Sequence, residues 1–134
     1  GSTLSNVTVT MHDENKSASG YTIFGTFEGD YSAIFDKTGK EIWNSGNTNF
    51  IFYSTNSKGQ LFGAQYESIN PYPYPGIELS LDGKVKWKEP NEEYVHHEFY
   101  QLSMGDYMGI AHEYQLGPIH ASGNYKFLYQ HYLI

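Results

Sequence analysis

Two His-Glu dipeptides, His97-Glu98 and His112-Glu113, flank the short segment Met104-Gly105. If that segment is a hairpin tip, His97 faces His112 and His96 faces Glu113. Opposed side chains in such a ladder lie about 4.5–5.5 Å apart at Cβ and share a face. An imidazole held neutral at one nitrogen and oriented at the other is a competent nucleophile. His120 and Lys126 lie close in sequence and supply further polar or cationic groups. The same set suits a transition metal, although two imidazoles on neighbouring strands make only half a site. The structural alternative is that His96 and His97 bridge strands by hydrogen bonds. Tyr72 and Tyr74, in Pro71-Tyr72-Pro73-Tyr74-Pro75, offer a stacking shelf for a phenol or a sugar, or simply a cap over a core.

These residues need strands to position them, and the chain is written as strands. It has 13 Tyr, 8 Phe and 14 Gly, with the glycines between apolar runs. No sustained helical spacing is visible. Ala33–Trp43 and Ile77–Trp87 look alike: Gly39, Lys40 and Trp43 align with Gly83, Lys84 and Trp87, an offset of 44 residues. Each is a strand, an Asp/Gly turn and a strand ending in Trp. Phe50–Tyr66 and Tyr94–Tyr114 then correspond more loosely. The expected strands are near 7–12, 21–27, 31–37 and 40–45; near 50–55, 61–68, 76–82 and 84–88; and near 95–102, 107–114 and 125–133.

Four antiparallel strands per period of about 40–50 residues mark β-propeller blades. The expected fold is therefore all-β: antiparallel four-stranded blades of an incomplete propeller, about three in this chain. Residues 1–134 form one segment, with units near 7–45, 50–88 and 95–134. A closed barrel or a two-sheet sandwich is the competing architecture. Trp43 and Trp87 are expected to pack between blades, and Asp36 and Asp82 to shape turns.

Charge narrows the function. The net charge is −7 and every basic residue is Lys. Nucleic-acid binding, which needs a basic face, is not expected. Without cysteine there are no disulfides, Cys–zinc sites or thiol nucleophiles. No apolar run reaches the roughly 20 residues of a membrane helix, so no membrane partner is expected.

Gly20–Gly25, the hairpin Ala33–Trp43 and the strand His96-His97-Glu98-Phe99-Tyr100 with its Gly105 turn resemble the arylsulfotransferase-like propellers. The resemblance spans roughly Gly20 to Tyr114. It implies a six-bladed propeller in which a His passes a sulfuryl group between phenols. His97 occupies that position, with His96 beside it as a second catalytic candidate. His112, Glu113, His120, Tyr72 and Tyr74 are the binding candidates. That family holds sulfate with Arg, which this chain lacks, and no cofactor or metal is implied. A phenolic small molecule is the implied ligand, and a secreted or periplasmic location is expected. The alternative function is a non-catalytic propeller module for binding or assembly. Under three blades leave apolar faces open, so the expected partner is a second copy or a complementary propeller segment.

Overall fold

The computed structural model describes residues 7–67, 74–116 and 127–133, with side chains through Ala111. Ten strands run in order: β1 (Thr22–Thr26), β2 (Tyr31–Phe35), β3 (Glu41–Asn44), β4 (Phe50–Thr55), β5 (Leu61–Gln65), β6 (Gly76–Leu79), β7 (Val85–Lys88), β8 (Val95–Gln101), β9 (Tyr107–Leu116) and β10 (Phe127–Leu133). They form three antiparallel sheets, β1-β2-β3, β4-β5-β6-β7 and β8-β9-β10. Among the described residues there is no helix. Residues 50–88 make the expected four-stranded sheet, with Trp87 on its edge strand β7.

Hairpin chemistry explains the regularity. Asp36–Lys40, Asn56–Gln60, Ser80–Lys84 and Leu102–Asp106 are five-residue turns with glycine in fourth place. Gly39, Gly59, Gly83 and Gly105 have φ of 83°, 76°, 78° and 96°, the left-handed region that costs glycine nothing. Each glycine N–H donates to the carbonyl three residues earlier, at 2.8–3.0 Å. This is the three-residue hairpin loop with its glycine bulge. At two turns the first side chain caps the turn. Asp36 Oδ1 accepts from the Thr38 and Lys40 N–H groups, and Asn56 Oδ1 from those of Lys58 and Gln60.

The 44-residue repeat is exact in register. Ile34 pairs with Trp43 and Phe35 with Glu41, with a shift between Ile34 and Phe35. Forty-four residues on, Glu78 pairs with Trp87 and Leu79 with Val85, with the same shift between Glu78 and Leu79. A second recurring feature is a crowded glycine, on edge strand β1 and on interior strands β5 and β9. A side chain at Gly25 would begin 2.5 Å from Phe52 N, at Gly63 1.9 Å from Ile51 O, and at Gly109 2.8 Å from the Phe99 ring. The sequence signal was there, in Phe24-Gly25, Phe62-Gly63 and Met108-Gly109.

The middle sheet is covered on both faces. Phe50, Leu61, Ile77 and Leu79 meet Ile23 and Trp43 from the first sheet. Phe62, Tyr53 and Trp87 meet Val95, Phe99 and Tyr107 from the third. Burial of each such large apolar side chain stabilises by about 1.5–3 kcal/mol. Polar ties add direction. Ser32 Oγ donates to Phe50 O at 2.7 Å and accepts from Phe52 N at 2.8 Å, joining the first two sheets.

One expected strand does not form. Residues 7–12 alternate apolar and polar as a strand should, yet they join no ladder. Val7, Val9 and Met11 instead line a cleft with Phe24 and Phe35, whose rings stack at 5.2 Å. Covering that aromatic pair takes the segment across the face of the first sheet rather than along its edge. The first sheet therefore has three strands, not four.

Candidate functional site

The β8–β9 hairpin carries the histidines, but not in the expected register. Because Leu102–Asp106 forms the turn, Gln101 pairs with Tyr107, one residue away from the anticipated pairing. The ladder continues to Phe99↔Gly109 and resumes only at Val95↔Ala111. Three residues of β8, His96, His97 and Glu98, thus bulge opposite the single residue Ile110. The expected pairs His97–His112 and His96–Glu113 do not form. His112 is paired with His131 and Glu113 with Gln130, both on β10. His120 and Tyr72 lie outside the described residues.

The bulge re-aims its side chains, as bulges do. His96 is buried, whereas His97 and Glu98 are exposed. His97 has φ of 65°, which a non-glycine residue adopts at a cost of about 1–2 kcal/mol. The two imidazoles stay adjacent, 4.7 Å apart and nearly perpendicular.

Around them lies an aromatic cluster drawn from all three sheets. Tyr94 lies 6.3 Å from His96, Tyr74 4.8 Å from Tyr94, and Tyr66 5.2 Å from Tyr74. The Tyr74 hydroxyl donates to Asp30 Oδ1 at 3.2 Å. Phe27 contacts the His97 ring at 6.5 Å and Tyr53 at 6.4 Å. Tyr74, one of the sequence candidates, thus joins His96 through Tyr94. Asp30, Phe27, Tyr53, Tyr66 and Tyr94 are additions that the sequence reading missed. The available signal was Gly29-Asp30, a turn dipeptide in which Asp30 takes φ of 46°.

Burial holds two of the phenols, Tyr74 and Tyr53, protonated beyond the ordinary range. Burial, followed by the Asp30 charge and its hydrogen bond, pushes the Tyr74 hydroxyl up to about 12. Burial, then neighbouring Tyr94, raises that of Tyr53. The cluster therefore offers neutral O–H donors, exposed imidazole and one carboxylate. The named members include no lysine. Among the described residues no three His, Asp or Glu side chains converge as metal ligands. Comparison with protein-family models, with curated proteins and with solved structures returned no match to this chain.

Proposed function

We propose that this chain is a β-propeller segment acting as a non-catalytic binding and assembly module. The observation that carries the reading is the repeated outer hairpin. Ile34–Trp43 and Glu78–Trp87 share one register and one irregularity, 44 residues apart. Each closing Trp packs on the sheet that follows it. Repeats of this kind bury a core only by stacking on neighbours. The first sheet turns one face to the middle sheet and carries residues 7–12 on the other, where exposed Val7, Val9 and Met11 offer apolar surface to a second copy or a complementary segment. Interchange tests the repeat: replacing 77–87 with the sequence of 33–43 should leave a cooperatively folded protein with aromatic near-ultraviolet dichroism. Collapse of that signal, with the reverse exchange also unfolded, would reject equivalent blades.

A second reading, sulfuryl transfer, draws support from the exposed, strained His97 beside His96. In it an imidazole nitrogen attacks sulfur, the phenolate leaves, and a second phenol takes the group from the sulfo-imidazole. The acidic Asp30 and the lack of lysine among the cluster's named members weigh against it, because the sulfuryl oxygens need cationic or hydrogen-bonding partners. Exchange between phenyl sulfate and a phenol, lost in His97→Ala, would establish transfer. No exchange in the unaltered chain leaves binding as the function.

A further inference from the structure

The two tryptophans stand in equivalent places, and their surroundings differ in an informative way. Trp43 lines a cleft of about 410 Å³ with the Leu81–Gly83 turn of the next sheet, and its Nε1–H donates to the Leu81 carbonyl at 2.8 Å. Trp87 lines a larger cleft, about 660 Å³, between the second and third sheets. That size lies within the range of small-molecule sites.

The walls of the larger cleft have a definite chemistry. Trp87, Tyr107 and Phe99 form a near-parallel stack, with Trp87 3.8 Å from Tyr107 and 5.8 Å from Phe99, and interplanar angles of 11° and 19°. The stack is pinned from behind. The Tyr107 hydroxyl donates to buried Glu78 at 2.6 Å, and Gln60 donates to the other oxygen of that carboxylate at 2.6 Å. The cleft is also lined by the acidic residues Glu89, Glu93 and Asp106. Glu89 stands where the smaller cleft has Ser45; the smaller cleft has Glu41 and Asp82, the latter paired with Lys84 at 2.8 Å. The Glu89 carboxylate accepts from the backbone N–H groups of Asn91 and Glu93 at 2.7 Å, which fixes it in place. No Lys is among the lining residues, and the chain has no Arg.

We infer that this cleft binds an organic cation, an ammonium group carrying apolar substituents. An aromatic wall attracts such a group through its quadrupole, and the carboxylates add Coulombic attraction. An anion would meet three carboxylates, and a neutral apolar ligand would gain only the ring contact. A partly apolar cation uses the rings and the carboxylates together.

The test uses choline and its neutral carbon isostere 3,3-dimethylbutanol. The chain has 2 Trp, so a ¹⁵N-labelled sample shows two indole resonances, assigned with Trp43→Phe. Choline should shift the Trp87 indole saturably at millimolar concentration, and the isostere should bind at least about fivefold more weakly. Glu93→Gln and Asp106→Asn should each weaken choline about threefold, and raised salt should do the same. Equal response to the two ligands, or none to choline at 100 mM, overturns the assignment. A Trp87 resonance that follows protein concentration and ignores choline also overturns it, by placing a second copy in the cleft.

Discussion

Trp43 on β3 donates its indole N–H to the carbonyl of Leu81, in the β6–β7 turn of the next sheet, at 2.8 Å. The bond joins residues 38 apart and ties the edge strand of one sheet to the outer turn of the following one. A hydrogen bond at this boundary sets the sheets' relative position, a task that non-directional apolar contact performs poorly.

Trp43→Phe keeps a ring against the middle sheet and removes the bond. It should destabilise by about 1 kcal/mol. Trp87→Ala removes one ring of a mutually packed trio with Phe99 and Tyr107 and should cost about 3 kcal/mol. Urea unfolding followed by tyrosine fluorescence measures both. Equal losses would mean that the two tryptophans are not used as described.

Glycine substitutions separate space from backbone conformation. Gly63→Ala drives a methyl into the Ile51 carbonyl and should prevent folding to a soluble state. Gly59→Ala meets nothing within 4 Å but keeps φ of 76°, so it should cost only about 1–2 kcal/mol. Circular dichroism and urea midpoints check the pair. A well-folded Gly63→Ala would contradict the close β4–β5 approach.

The strained histidine gives a prediction of opposite sign. His97→Gly relieves φ of 65° and should stabilise the fold by about 1 kcal/mol, after glycine's unfolded-state entropy is allowed for. A clear loss of stability would show that the His97 ring has a packing role that outweighs the strain.

High pH should weaken the protein. Tyr74 and Tyr53, through burial first, and Tyr107, through burial and then its bond to Glu78, are held above the ordinary phenol value of 10. The unfolded chain then loses these protons first, so stability is intact below pH 10 and falls as pH rises past it. Tyr74 contributes up to about pH 12. Urea midpoints from pH 8 to 11 should fall, and Tyr107→Phe should flatten the fall. A flat profile in the unaltered chain would contradict these environments.

The hairpins were legible because turn chemistry and apolar alternation are local. Asp36–Trp43 and Ser80–Trp87 carry their own register. The His97 register was not legible: one residue of turn length and the bulge at His96–Glu98 changed every facing pair beyond them. Residues 7–12 misled for a related reason. Alternation reports a half-covered segment, and the cover here is the Phe24–Phe35 face rather than a neighbouring strand. The Asp30–Tyr74–Tyr94–His96 cluster joins loops far apart in sequence, and only tertiary packing brings them together.

The central claim is that stacked sheets of this repeat complete their core by association. Phe27 at 51% exposure, Met11 at 88%, and Val7 and Val9 at 41% mark apolar surface on or beside the first sheet. Light scattering after gel filtration, at micromolar concentration, tests the claim most directly. The account predicts a mass of at least twice the 15.3 kDa of one chain. A single species at 15.3 kDa across the concentration range would contradict it.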